Sequence, residues 1–269
     1  MGFHTLEPID SLDPDLLKFL LGIPAEAGYM LGDAVPPFSE HARYYAARLE
    51  GRITAAMQVY APPEFGAPAI QAAGDPWAAS LLIRRWAERP RSYMMFSDEV
   101  RPAVEEMYQM DAPLKFRRMT LDPRGRGCPD QEGIRLVSED YDEFRDFLKV
   151  CFNGEYFLTP DMLCPGRAAA IYQNDVVTAC ACTHALAKTL GVAFIGNVAA
   201  APDRRHQGLG RRVMLHLLYM LEKEGVTFAA LNVLHDNLPA VRLYESLGFE
   251  HAGIYWAGPG DWRGDRQGA

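Results

Sequence analysis

The apolar and polar residues of this chain alternate with short periods, and the pattern is sharpest between residues 192 and 224. Residues 192–200 are small and apolar, which predicts a buried strand, and Pro202-Asp203 then signals a turn. The apolar residues after the turn recur at helical spacing: Val213, Met214, Leu217, Leu218 and Leu221. The stretch is therefore predicted to be a strand, a turn and an amphipathic helix that ends at Gly225.

The first half of the chain carries weaker signals of the same kinds. A helix is predicted over 14–21, and residues 23–40, which are rich in proline and glycine, are predicted to be a loop. Residues 42–49 and 52–60 predict a hairpin that turns at Glu50-Gly51. The remaining predicted elements of this half are helices over 78–87 and 102–108 and strands over 92–96 and 119–121.

The second half is predicted to follow a linker at residues 122–133, where all periodicity is lost. It begins with a strand over 134–137 and a helix from Ser138 to Cys151. A hairpin over 168–172 and 176–184 precedes the sharply patterned stretch. After that stretch the pattern predicts a strand over 226–234, a helix over 238–247, a strand over 249–256 and a loose tail from Pro259.

Composition narrows the class of protein. The 269 residues are 49% hydrophobic, which is enough for one large core or two ordinary ones. A formal net charge of -8 argues against nucleic acid as a general partner. Five cysteines without framework spacing indicate a reducing compartment, and no apolar run approaches membrane-spanning length. We therefore expect a cytoplasmic protein without a membrane partner.

The turn after residue 200 has the chemistry of an anion site. Its motif is Arg205-x-x-Gly208-x-Gly210, and glycines let a ligand approach the backbone where a helix presents unpaired N–H groups. The surrounding basic residues are Arg204, Arg205, His206, Arg211 and Arg212. Phosphate is the expected ligand. A P-loop is excluded because its Gly-Lys-Ser/Thr ending is absent, and a dinucleotide fingerprint because Val213 replaces the third glycine.

This turn resembles the pyrophosphate-binding turn of the GNAT superfamily of acyl-CoA-dependent N-acyltransferases. A second segment also resembles that family: Leu231-Asn232-Val233, followed by Asn237-x-x-Ala240-x-x-Leu243-Tyr244-x-x-Leu247-Gly248-Phe249. The resemblance implies an α/β (α+β) GNAT fold over residues 134–258, with a mixed, mostly antiparallel sheet flanked by helices. It also implies acetyl-CoA as co-substrate and no metal.

The same resemblance implies the CoA-binding residues. The turn amides of residues 207–211 would bind the pyrophosphate, and main-chain groups of Val198 and Ala200 would pair with the pantetheine amides. A backbone N–H near Val198 would stabilise the thioester oxyanion. The full expected set is Asn197, Val198, Ala199, Ala200, Arg205, His206, Gln207, Gly208, Leu209, Gly210, Arg211, Asn232, Asn237, Ala240 and Tyr244.

Tyr244 matches the general acid of the family, although packing on the core is the alternative role for this tyrosine. A phenol with an ordinary pKa of about 10 can protonate a departing thiolate. The general base is open: Glu155, Asp161, or water leading to His184 or to a main-chain carbonyl. Asn197, on the central strand, cannot serve as a base.

The first half is predicted to be a degenerate copy of the second, so that the chain contains two tandem GNAT-like domains. Residues 69–87 echo the strand, proline turn and helix, and Arg101-Pro102-Ala103-Val104 echoes Leu238-Pro239-Ala240-Val241. The glycine motif is absent at 75–82, so this half is not expected to bind pyrophosphate. Its expected role is to shape the substrate cleft, and an unrelated α/β extension is the alternative. The expected boundaries are 1–121, 122–133 (linker), 134–258 and 259–269 (tail).

Several alternatives stay open. Cys180-x-Cys182-x-His184 has soft metal ligands without a fourth partner, so we interpret these as small buried residues rather than a zinc site. The chain could use another acyl-CoA donor, or be a non-catalytic acyl-CoA-binding sensor. The acceptor is expected to be a small-molecule or peptide amine, and both a monomer and a homodimer are compatible with the sequence.

Overall fold

The computed structural model describes residues 3–63, 66–127, 129, 134–136, 141–153, 156, 158–163 and 166–264. The chain forms two compact units. The first unit contains residues 1–118, 233–236 and 252–269. The second unit contains residues 119–232 and 237–251. Among the described residues, no helix has the length and apolarity needed to cross a bilayer.

The first half contains seven described strands and four described α-helices, with two consecutive helices between the first and second strands. Its strands are β1 (Thr5–Ile9), β2 (Ala42–Leu49), β3 (Arg52–Tyr60), β4 (Ala69–Gly74), β5 (Arg91–Ser97), β6 (Tyr108–Met110) and β7 (Leu114–Leu121). Its helices are α1 (Pro14–Gly22), α2 (Pro24–Asp33), α3 (Pro76–Trp86) and α4 (Arg101–Met107). The predicted hairpin is confirmed, because Glu50 and Gly51 turn with positive φ values of 52° and 80° between β2 and β3.

The second half repeats this order. Its strands are β8 (Ile134–Leu136), β9 (Ala168–Gln173), β10 (Val176–Ala187), β11 (Val192–Ala200), β12 (Phe228–Leu234) and β13 (Glu250–Trp262). Its helices are α5 (Tyr141–Cys151), α6 (Leu209–Lys223) and α7 (Leu238–Ser246). For residues 134–136 only the backbone is described, and the predicted cap at Ser138 lies outside the described residues.

Both units use the same sheet topology. In the first unit, β1 to β4 are successive antiparallel neighbours, and α3 then connects β4 to the parallel strand β5. In the second unit, β8 to β11 are antiparallel neighbours, and α6 connects β11 to the parallel strand β12. The correspondence between 69–87 and the sharply patterned stretch is thus a correspondence of fold, and the predicted tandem arrangement is confirmed.

The interpretation of residues 23–40 as a loop is wrong. Residues 24–33 form α2, and Phe38–His41 form a 3-10 turn. Pro24 stands in the first turn of α2, where a proline costs no hydrogen bond, and Ala27, Met30 and Leu31 are buried at helical spacing. Proline and glycine content concealed this helical pattern. Strands β1 and β6 were also missed.

The last strand extends beyond the expected domain end at residue 258. Residues 255–261 pair with β5, and Gly260–Trp262 pair with β6, so this part of β13 completes the sheet of the first unit. Arg101 lies 3.9 Å from the ring of Trp256, and Arg89 lies 3.9 Å from that of Trp262. These contacts anchor residues 256–262, whereas residues 265–269 lie outside the described part.

A buried polar network lies between α2 and the sheet of the first unit. The Gln58 amide donates to the Asp33 carboxylate at 2.8 Å and to the Tyr44 hydroxyl at 3.1 Å, and Tyr44 donates to the Met30 carbonyl at 2.6 Å. Burial raises the pKa of Asp33 from 3.8 to about 7, although the Gln58 hydrogen bond opposes the rise. Asp33 therefore binds a proton in the folded state at pH values where the unfolded chain releases it.

This difference predicts a pH-dependent effect of Asp33→Asn. Between the unfolded and folded pKa values the free energy of unfolding of the wild type falls as pH rises, by at most about 4 kcal/mol for a shift of this size. The variant keeps the acceptor for Gln58 but lacks this titration. Urea unfolding at pH 4, 6 and 8 should show the variant gaining stability over the wild type as pH rises. A constant difference at all three values would contradict this, and Asp236→Asn, at an exposed site, is the control.

Candidate functional site

The turn between β11 and α6 exposes its backbone. The chain passes through a 3-10 turn at Pro202–Arg204, and His206 and Gly208 then adopt left-handed conformations with φ values of 64° and 75°. Residues 202–208 are all exposed. Left-handed residues close to right-handed or extended ones turn successive N–H groups toward one side, which makes a concavity suited to an anion.

Helix α6 begins at this concavity without a side-chain cap. Gly208 is the N-cap residue and has no side chain to accept from the first-turn N–H groups. The buried side chain of Leu209 fixes the start of the helix in the core. A 15-residue helix thus presents its positive end to the exposed turn.

The N-terminus of α3, the corresponding helix of the first unit, is capped by a side chain. The Asp75 carboxylate accepts from the Ala78 N–H at 2.8 Å and caps α3, with Pro76 beside it. A negative side chain therefore occupies the position that an anion would take, which supports the expectation that the first half does not bind pyrophosphate.

Basic side chains surround the exposed turn of the second unit. Arg204, Arg205 and Arg211 are exposed, and Arg204 lies 3.3 Å from the Asp203 carboxylate. Burial raises the pKa of the Cys151 thiol, and the charge of Arg205 partly opposes that rise. Arg205 is thus close enough to the end of α5 for its charge to act there.

The strand that leads into this turn parts from its parallel neighbour. Strands β11 and β12 pair only from Val192 opposite Phe228 to Ile195 opposite Leu231. Strand β11 continues to Ala200, so residues 196–200 stand beyond the described ladder on that side. An extended ligand can add to such an edge through main-chain hydrogen bonds.

A β-bulge lies where the two strands part. Cys182 pairs with Gly196 and Cys180 with Ala199, so residues 197 and 198 together face Ala181. Asn197 is buried and has a left-handed φ of 49°. Bulges bend the strand and change the direction of its peptide groups, and they are frequent beside active sites.

Tyr244 lies on α7 in the same unit. Its side chain is buried, and its ring meets that of Phe249 edge-to-face with centroids 5.8 Å apart. Burial raises the pKa of Tyr244, so the phenol keeps its proton over the physiological range. A Cβ on Gly210 would lie 3.4 Å from the Leu243 side chain, which shows that α7 packs beside the start of α6.

The other predicted residues of this segment take up local structural roles. Asn237 is exposed and caps α7, since its side-chain oxygen accepts from the Ala240 N–H at 3.3 Å. Its amide NH₂ group is a separate donor that this cap does not use. Asn232 and Ala240 are half-buried. The predicted set is therefore built from two strands (β11 and β12), one turn and two helices (α6 and α7).

Of the candidates for the general base, the structure describes the side chain of His184 but not those of Glu155 and Asp161. Glu155 lies outside the described residues, and Asp161 belongs to a 3-10 turn at Pro160–Leu163 whose backbone alone is described at that residue. Burial lowers the pKa of His184 to about 4, although a hydrogen bond with the Asn197 side chain opposes the fall. His184 is therefore neutral near pH 7.

The sequence did not reveal the contacts that Cys180 and His184 make with the bulge. Cys180 and Cys182 are fully buried, as expected. Cys180, however, donates from its thiol to the Asn197 carbonyl at 3.2 Å, and His184 lies against Gly196. The alternation of Cys180, Cys182 and His184 along one strand was visible, but the register that sets them against the bulge was not. Within the described ranges, no group of three or more His, Cys, Asp or Glu side chains is arranged to hold a metal ion.

Comparison with known proteins identifies relatives of the second half. Residues 134–249 match the model of the acetyltransferase (GNAT) family. The [ribosomal protein bS18]-alanine N-acetyltransferase of Escherichia coli K12 is 44% identical over 101 residues, which are 38% of this chain and 60% of that protein. The chain thus spans about three fifths of the length of the curated relatives it matches.

Solved structures match nearly the whole chain in fold. A GCN5-related N-acetyltransferase from Sphaerobacter thermophilus has a TM-score of 0.58 at 15% identity and covers 97% of both chains. A tandem GNAT protein from the clavulanic acid biosynthesis pathway has a TM-score of 0.54 at 15% identity and covers 98% of this chain and 100% of its own. At this low sequence identity the structural similarity shows the fold alone, which is that of two GNAT-like domains in tandem.

The packing of His184 on Gly196 predicts a coupled pair of substitutions. A Cβ on Gly196 would overlap the imidazole of His184, so Gly196→Ala should lower the free energy of unfolding by about 1–3 kcal/mol through overpacking. His184→Ala makes room for that methyl group, and the double variant should regain most of the loss. Urea unfolding of the four proteins measures the coupling.

Additive effects within about 0.5 kcal/mol would show that the ring does not constrain this position. Gly22→Ala is the matched control, because a Cβ there meets nothing within 4 Å.

Proposed function

Because residues 134–249 match the model of the acetyltransferase (GNAT) family, we propose that the second half of this chain transfers the acetyl group of acetyl-CoA to a primary amine. The observation that carries the proposal is the uncapped, left-handed turn at the start of α6, placed at the end of a strand that has parted from its neighbour. These two features together offer hydrogen bonds to a phosphate and to the amides of an extended arm.

Three parts of the chain would contact CoA. The N–H groups of residues 207–211 would bind the pyrophosphate, with Arg205 and Arg211 adding charge and His206 lying in the same turn. Main-chain groups of residues 197–200 would pair with the pantetheine amides. The NH₂ group of Asn237, beside Asn232 and Ala240 in the family motif, would contact the arm of CoA. When bound, acetyl-CoA supplies an activated acyl thioester.

In the proposed reaction the neutral amine attacks the thioester carbonyl directly, in a ternary complex. The N–H of Val198 would donate to the carbonyl oxygen as negative charge develops there, and Tyr244 would protonate the departing sulfur. The burial that raises the pKa of Tyr244 also disfavours a thiolate leaving beside it, since both anions lose solvation. Proton transfer between the two groups therefore stays feasible although the phenol is a weak acid.

The properties of His184 bear on the acceptor. With a pKa of about 4, His184 is a poor base for a lysine-like amine, whose pKa is about 10.4. A peptide α-amine has a pKa of about 7.7–8.0, so roughly a third is already neutral near pH 7.5. We infer an α-amine acceptor, which needs only Glu155, Asp161 or a water chain to take up the proton. The similarity to an enzyme named for acetylating an alanine of a ribosomal protein favours the same acceptor class.

Two rival functions remain in view. A different acyl donor, such as succinyl-CoA, would use the same turn and strand. A non-catalytic acyl-CoA sensor would also bind CoA, and Tyr244 would then serve only in packing against Phe249.

A substitution at Tyr244 distinguishes an acetyltransferase from a non-catalytic sensor. Tyr244→Phe should lower kcat by about 10²–10⁴-fold, the usual contribution of a general acid, and leave the Kd for acetyl-CoA within about twofold. Steady-state release of free thiol and calorimetric titration measure the two quantities. The control is Tyr219→Phe on α6, where the ring contacts Lys223. Unchanged turnover in Tyr244→Phe would remove the acid role.

The pH dependence of acetylation of two peptides tests which class of amine is the acceptor. At pH 7.5 a peptide with a free N-terminal alanine should be acetylated faster than an N-blocked peptide with one lysine, and the ratio should shrink as pH approaches 10. Mass spectrometry of both peptides measures the rates. A preference for the lysine peptide at pH 7.5 would overturn the inferred acceptor.

A further inference from the structure

Two side chains of β10 meet the bulge residue of β11. The thiol of Cys180 donates to the main-chain carbonyl of Asn197 at 3.2 Å, and His184 makes a hydrogen bond with the Asn197 side chain. One contact holds the backbone of the bulge and the other holds its side chain. Both donors lie on the same neighbouring strand.

The surroundings leave little freedom at this point. Asn197 adopts a left-handed φ of 49° inside a strand, which non-glycine residues seldom do without support. The ring of His184 covers Gly196 so closely that a Cβ would overlap it. His184 itself lies at a second register shift, between Thr183 and Ala185. The bulge on β11 and the register shift at His184 on β10 thus lie next to each other.

From this geometry we propose that Cys180 and His184 are positioning residues, which fix the left-handed bulge at Asn197 and so aim the next N–H, that of Val198, at the thioester oxygen. The inference rests on the proposed acyl transfer. A thiol is a weak donor, so the contribution of Cys180 is to the direction of the peptide group more than to the stability of the unit.

Cys182 provides the internal contrast. It is as deeply buried as Cys180 and lies two residues along the same strand, but it pairs with Gly196, and its described side-chain interaction is with Cys180. Cys182→Ala should therefore reproduce any effect that comes from losing a small buried thiol in general. It should not reproduce an effect that comes from losing the contact to the bulge.

The kinetic test compares Cys180→Ala, Cys180→Ser, His184→Ala and Cys182→Ala. Cys180→Ala and His184→Ala should each lower kcat about tenfold, less than the 10²–10³-fold that follows loss of an oxyanion donor itself, with KM for acetyl-CoA within about twofold of wild type. Cys180→Ser keeps a donor and should recover most of the rate. Cys182→Ala should keep the wild-type rate.

Hydrogen exchange of the peptide spanning 192–200 tests the bulge without relying on activity. Exchange should be faster in Cys180→Ala and His184→Ala than in the wild type and in Cys182→Ala. Unchanged exchange, or a fall in kcat that Cys182→Ala reproduces, would overturn the proposal. A wild type that binds acetyl-CoA but acetylates no amine would refute the proposed function and with it the catalytic part of this inference, while exchange would still decide whether these residues hold the bulge.

Discussion

The structure of the second unit depends on one constraint: a parallel ladder that stops partway along its strands. Backbone N–H and C=O groups require partners when they leave water, and β11 runs past the point where β12 supplies them. The bulge at Asn197 and the left-handed turn at His206 and Gly208 carry the same strand on to the open end of α6. The strand end and the uncapped start of α6 therefore lie in sequence along one path, which suits a long ligand with amides and phosphates.

The first unit meets the same constraint with its own residues. Strands β4 and β5 pair only as far as Gln71 opposite Met95. At the end of that ladder helix α2 makes two contacts with β4: the Glu26 carboxylate accepts from the Gly74 N–H at 3.2 Å, and the Glu26 carbonyl accepts from the side-chain amide of Gln71 at 2.5 Å. Asp75 then caps α3. In the first unit α2 and Asp75 thus cover the gap between the parallel strands, whereas CoA is proposed to bind at the corresponding gap of the second unit.

The sequence predicted what is local and missed what depends on pairing. The Arg205–Gly210 turn, the Glu50-Gly51 hairpin and the face of α6 each follow from a few adjacent residues, and the structure has all three. Helix α2 was missed because the prolines and glycines of residues 23–40 outweighed its buried positions. The pairing of residues 255–261 with β5 joins segments more than 150 residues apart, which no local pattern encodes. The contact between Cys180 and Asn197 is of the same kind, because it depends on a register shift between β10 and β11.

Binding of acetyl-CoA to the turn before α6 is the central claim, and thermal unfolding tests it most directly. At a hundredfold excess over Kd the ligand should stabilise the native state by about 2.7 kcal/mol. Wild type and Gly225→Trp should both show the corresponding rise in Tm, and Gly208→Trp should not. The two glycines are matched, because each has a positive φ and open space around it, at opposite ends of α6. Absence of a shift in the wild type, or an equal shift in Gly208→Trp, would contradict the account.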